Sequence, residues 1–121
     1  MSKILVVDDD LFFMQMLRDV LEKHGHQVHS APDGEIALKM FYDGDYEVII
    51  CDLIMPNMDG MELIMELRKN YPDVKIIAVS GGDKQLHAST YLTVTKDLGA
   101  NYVFEKPLSN SDILSAIEEP V

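Results

Sequence analysis

Four stretches of this chain carry residues that could do chemistry together. Three consecutive carboxylates, Asp8-Asp9-Asp10, follow the apolar run Ile4-Leu5-Val6-Val7. A further carboxylate, Asp52, closes the run Val48-Ile49-Ile50-Cys51. The hydroxyl of Ser80 closes Ile76-Ile77-Ala78-Val79, and the ammonium of Lys106 follows Tyr102-Val103-Phe104-Glu105. Clustered carboxylate oxygens suit a hard divalent cation such as Mg2+, which takes few protein ligands and keeps several waters. One carboxylate could serve as nucleophile toward a phosphoryl group. A cation, an ammonium and a hydroxyl beside it would spread the charge on the transferring oxygens.

Each residue also has a plainer role. Asp10 reads as a helix N-cap, and so does Asp59. Ser80 alone would be a turn residue, and Lys106 alone a solvated surface lysine. The eight methionines read as core filler or surface scatter. The case for chemistry is joint, because complementary groups stand at four of the five predicted strand ends.

The elements that must position them alternate regularly. Strands are predicted at Lys3–Val7, Gln27–Ala31, Val48–Asp52, Val74–Val79 and Tyr102–Glu105. The second, more polar than the rest, reads as an edge. Helices are predicted from Leu11 to His24, Glu35 to Phe41, Met61 to Asn70 and Ser89 to Leu98. A last one, capped by Ser109 or Ser111, carries Ile113, Leu114 and Ile117. In the first helix Met14, Leu17 and Leu21 form the apolar stripe, and Gly25 stops it. Strand–helix alternation argues for a parallel sheet covered on both faces. In such a sheet every carboxyl end lies on one rim, where open α/β folds place their ligands.

The bulk numbers bound the rest. The 121 residues suit one domain, 47% hydrophobic and 26% charged,. A formal charge of −11 argues against nucleic acid as a direct partner,. The lone Cys51 falls mid-strand and reads as a small buried hydrophobe. Met-Ser-Lys leading into a strand is no signal peptide, and no apolar run approaches the roughly 20 residues of a membrane span. The expectation is a cytoplasmic chain.

The set Ile4-Leu5-Val6-Val7-Asp8-Asp9, Asp52 with Met55-Pro56-Asn57-Met58-Asp59-Gly60, Val79-Ser80 and Lys106-Pro107 resembles the receiver domain of two-component response regulators, of the stand-alone, chemotaxis-receiver-like kind. The resemblance spans nearly the whole chain and implies a single receiver domain over residues 1–121. It implies a flavodoxin-like, doubly wound five-stranded parallel sheet of order 2-1-3-4-5 with five helices. It also implies a phosphoacceptor switch rather than an enzyme. Asp52 would accept phosphoryl from a sensor histidine kinase or phosphotransfer protein. Asp9, Asp52 and the backbone carbonyl of Ile54 would hold Mg2+, with Asp8 reaching it through water. Lys106 would pair with the phosphoryl group. Ser80 would move to hydrogen-bond it, carrying the following loop and changing the binding of an output protein.

The sequence departs from the receiver pattern at three points. Val103 stands where many receivers carry an aromatic switch residue, and Tyr102 is one position off, on the opposite face. The segment from Ser80 to Lys106 is a few residues longer than usual, with the excess expected between Gly81 and Thr90. Ile54 is apolar where some members are polar. These differences bear on phosphoryl lifetime and on the form of the switch. An Mg2+-dependent aspartyl-phosphate phosphatase is the main alternative. Such enzymes usually carry a second acid two residues after the nucleophile, where this chain has Ile54. A flavin carrier would want a phosphate-cradling loop after the first strand, where three aspartates would repel the phosphate. A fourth reading, an interaction domain that is never phosphorylated, leaves the complete acid–Ser–Lys set without a role.

Overall fold

The structure is a computed structural model that describes residues 2–53, 60–80, 95–106 and 108–119. Five short, apolar segments form its strands: β1 (Lys3–Val7), β2 (Gln27–Ala31), β3 (Val48–Asp52), β4 (Lys75–Ser80) and β5 (Tyr102–Glu105). All pair in parallel, in the order β2-β1-β3-β4-β5. The expected flavodoxin-like topology is therefore observed. The helices are α1 (Leu11–Lys23), α2 (Gly34–Asp43), α3 (Gly60–Asn70), a helical turn at residues 95–97 (α4), and α5 (Asn110–Glu118).

Burial explains the strand composition. Every residue of β3 and β4 is buried, because helices cover both faces of the sheet centre,. On one face Leu5, Val7, Ile49, Cys51, Ile76 and Ala78 pack with Ala37 and Phe41 of α2 and Leu63, Ile64 and Leu67 of α3. On the other, Ile4, Val6, Ile50, Ile77 and Val79 pack with Phe13, Leu17 and Leu21 of α1 and Ile113, Ala116 and Ile117 of α5. The stripe of α1 thus runs through Phe13, with Met14 at its half-buried edge, and Ala116 joins that of α5 while Leu114 flanks it. Both edge strands, β2 and β5, are less buried than the centre.

Helix ends follow their caps. Asp10 accepts from the backbone N–H groups of Phe12 (3.1 Å) and Phe13 (3.2 Å), Asp33 from Ile36 (2.9 Å), and Ser109, not Ser111, from Asp112 (3.1 Å),. Gly25 and Gly99 follow α1 and α4 with φ of 88° and 125°, a region that favours glycine,. The cap expected at Asp59, the Gly81–Thr90 loop, the first part of the helix expected from Ser89, and Pro107 lie outside the described residues.

Two cations tie elements together at the opposite rim. The Arg68 guanidinium, at the end of α3, donates to Gly99 O (2.7 Å), Val74 O (2.9 Å) and Asn101 Oδ1 (2.9 Å). The buried Lys75 ammonium, at the start of β4, donates to Ala116 O (2.6 Å), Ile117 O (2.9 Å) and Glu119 O at the end of α5. Burial pushes the Lys75 pKa down, and the nearby Glu119 charge draws it partly back,.

Candidate functional site

Asp8 directly follows β1 and Asp52 is the last residue of β3; these strands are neighbours, with Val7 paired to Cys51. Both carboxylates are buried, Asp8 to 1% and Asp52 to 6% exposure, whereas Asp9 is open to solvent. One oxygen from each of Asp8, Asp9 and Asp52 can be chosen so that all lie within 4.8 Å of one another. That spacing lets the three share one cation. Oxygen-only donors, two of them buried, are the ligand chemistry of Mg2+ rather than of a softer metal. Asp8 is held in place by its backbone: its second oxygen, Oδ1, accepts from Asp10 N–H at 2.8 Å. Asp10 itself faces the helix it caps, so only the first two of the three adjacent acids join the cluster.

Lys106 reaches the cluster from the end of β5. Its Nζ stands 2.9 Å from Asp8 Oδ2 and 3.6 Å from Asp52 Oδ2. These are the ion pairs found among the described residues. The ammonium also lies 4.1 Å from the centroid of the Phe13 ring, a cation–π contact that fixes the flexible stem on its way to the acids,. Phe13 therefore serves both core and site. Sequence reading missed it because an aromatic one turn into an amphipathic helix has only the packing signal.

Ser80 ends β4 and is buried; its neighbour Val79 is the register partner of Asp52. Its carbonyl accepts from Lys106 N–H at 2.9 Å, so the backbones of the hydroxyl and the ammonium are coupled directly. Asp8, Asp9 and Asp52 thus form one cluster, Lys106 pairs with the first and last of them, and Ser80 lies on the same rim. Ile54 lies outside the described residues.

Gly60 entered the sequence reading only as the last residue of the Met55–Gly60 motif, with no role of its own. It opens α3 directly against the end of β3, where its N–H donates to Leu53 O at 3.0 Å. A Cβ there would stand 2.5 Å from Leu53 Cα and would overlap the Asp52 carbonyl oxygen. Glycine is required for that close approach. Cys51, beside Asp52, is fully buried; burial, then the Asp52 and Asp8 charges, push its thiol up to about 12, so it is inert packing as expected,.

A family model for the response regulator receiver domain matches residues 4–118. The chain belongs to that family. Solved receivers agree over nearly the full length. The Thermotoga maritima response regulator TrrA, whose structure was determined in complex with Mg2+ and BeF, is 30% identical, with TM-score 0.84 over 98% of this chain and 97% of that one. The Vibrio cholerae chemotaxis protein CheY4 is 28% identical, with TM-score 0.86 and the same coverages. The receiver domain of Francisella response regulator 1452 is 29% identical, with TM-score 0.84 over 94% of this chain and 91% of that one. Receivers are signalling switches of two-component systems, typically with an aspartate phosphorylation site and Mg2+ at an acidic pocket. As a receiver, this chain is a phosphoacceptor domain of such a system. No described helix is long and apolar enough to cross a membrane.

Proposed function

We propose that Asp52 is the phosphoacceptor of this receiver domain, a cytoplasmic switch charged by a sensor histidine kinase or phosphotransfer protein. The observation that carries this reading is the position of Asp52. It ends the central strand, its carboxylate stands 3.6 Å from Lys106 Nζ, and it shares a cation-sized cluster with Asp8 and Asp9. In the transfer, an Asp52 oxygen attacks phosphorus while the phosphorus–nitrogen bond of a phosphohistidine breaks. The imidazole leaves with the bonding pair and takes up a proton. An acyl phosphate remains on Asp52.

Asp9, Asp52 and the carbonyl of Ile54 would hold Mg2+ in this reading, with Asp8 reaching it through water. The ion, when bound, supplies positive charge against the phosphoryl oxygens. Lys106 exchanges part of its pairing with Asp8 and Asp52 for an oxygen of the new phosphoryl group. Ser80 donates its hydroxyl to another, and the Gly81–Thr90 loop follows it to alter the surface offered to an output protein. The donor is protein rather than free ester, because an apolar surface adjoins the acids. Leu11 and Phe12, immediately after Asp10, are 69% and 91% exposed, and Met16 one turn on is 44% exposed,. A net charge of −11 argues against nucleic acid as the partner,.

Incubation with Mg2+ and acetyl phosphate should add a single phosphate, labile to hydroxylamine as an acyl phosphate is, and Asp52→Asn should abolish it. Undiminished labelling of that variant on a serine or histidine would overturn the assignment.

A further inference from the structure

At the opposite end of the sheet from the acids is a groove of about 700 Å³. Its lining includes Tyr42, Tyr46 and Tyr71, and the acids Asp45, Glu47 and Asp73. Lys75 and Glu119 complete one wall. The aromatic part is built on the core: the Phe41 ring lies 5.5 Å from Tyr46 and 4.7 Å from Tyr71, centroid to centroid. Tyr42, by contrast, is 82% exposed. Asp45, Glu47, Asp73 and Glu119 are all exposed, and none forms an ion pair among the described residues. Lys75 offers no donor to a ligand, because its three N–H groups already serve α5 carbonyls,.

We propose that this groove is a docking site for an arginine-bearing segment of a partner protein. Charge complementarity selects a cation: four carboxylates line the groove beside one saturated ammonium, and of the four Glu119 also accepts from the Tyr102 hydroxyl at 2.7 Å. The aromatic lining selects its kind, since a planar guanidinium can stack on a tyrosine ring and fork onto a carboxylate, whereas an ammonium does only part of this. One cation, the Lys3 ammonium, already stands 4.8 Å from the buried Tyr46 ring centroid, so the exposed Tyr42 ring is the one offered to an incoming guanidinium. The carboxylates come from three separate connections: the α2–β3 turn (Asp45, Glu47), the α3–β4 turn (Asp73) and the residue after α5 (Glu119). That spread favours several cations strung along one chain over a single small molecule. The first residue of β3 lines the groove and the last is Asp52, so the groove and the phosphoacceptor lie roughly 13 Å apart along one strand,. A partner docked here leaves the acid rim open, and the inference stands independently of the role proposed for Asp52.

The test uses a fluorescein-labelled peptide with three arginines separated by glycines, its lysine counterpart, and fluorescence anisotropy at low and moderate salt. Asp45→Asn/Asp73→Asn should weaken arginine-peptide binding about tenfold. Glu22→Gln/Glu35→Gln, which removes the same charge from exposed positions outside the groove, should change it less than about twofold. Tyr42→Ala, at an exposed ring that leaves the core intact, should weaken it about threefold, and the lysine peptide should bind more weakly than the arginine one. Equal losses in the two acid pairs would reduce the effect to net charge and overturn the proposal. So would indifference to Tyr42→Ala, or displacement of the peptide by free spermine or arginine amide at the peptide's own affinity, which would make the groove a small-cation site. Circular-dichroism melting of each variant verifies that the losses are not unfolding.

Discussion

Lys106 sets the electrostatic state of the acid rim. One ammonium faces three carboxylates, so the cluster keeps a net negative charge that only the folded chain concentrates. Asp8 and Asp52 are buried and directly paired with Lys106, whereas Asp9 is solvent-exposed and is in neither pair. Removing the Asp9 charge therefore relieves repulsion without opening the core. In the presence of chelator, Asp9→Asn should melt a few degrees above wild type. A cation that binds only the folded site adds about 1.4 kcal/mol at tenfold excess over Kd, and the variant should lose most of that Mg2+-induced rise. Calorimetry with and without Mg2+ measures both. A variant that melted lower in chelator and kept the full Mg2+ shift would show that the three acids do not share a metal.

Among the elements, the junction of β3 with α3 is the most demanding. Gly60 lets the helix start against the carbonyl carrying Asp52, and the atoms a methyl would strike are backbone, which cannot rotate away. Gly60→Ala should cost about 1–3 kcal/mol by overpacking and slow phosphorylation by acetyl phosphate through displacement of Asp52. A variant with unchanged stability and rate would show that the junction yields freely. At the other rim, Lys75 ends α5 by binding its last carbonyls. Lys75→Met keeps the stem but strands those acceptors, and should destabilise by roughly 2–4 kcal/mol in urea unfolding while leaving phosphorylation competent. What the sequence disclosed at this scale followed from periodicity. Continuous apolar runs located β3 and β4, and alternation along β5 put Tyr102 and Val103 on opposite faces, as found. Phe13, Gly60, Arg68 and Lys75 were not legible. A lysine in an apolar strand looks like any edge charge until the end of a distant helix is placed over it, and a glycine beside a cap shows no sign of the strand it touches.

Across the whole molecule, a net charge of −11 means that mild acid, by neutralising carboxylates, lessens self-repulsion,. One group acts in the opposite direction. His26, buried just before β2, accepts Ser2 N–H through Nδ1 at 3.0 Å, which leaves the proton on Nε2, buried without a partner among the described residues. Burial first, then the positive amino terminus, push its pKa below the ordinary 6.5; the more favourable Glu118 and Glu47 charges do not restore it. Below pH 6.5 the unfolded chain takes up a proton that the folded chain refuses. The His26 contribution is therefore complete above pH 6.5 and is lost as pH falls from there through the lowered folded value, below which it changes no further. Protonation would also remove the acceptor that holds Ser2, whose carbonyl accepts from Gln27 N–H at 2.9 Å where β1 meets β2. His26→Gln keeps an acceptor and does not titrate. The difference in melting temperature between wild type and His26→Gln should shift against wild type as the buffer goes from pH 7.5 to 5, whatever the background slope from the carboxylates. Parallel melting curves for the two proteins across that range would show that His26 does not couple protonation to folding.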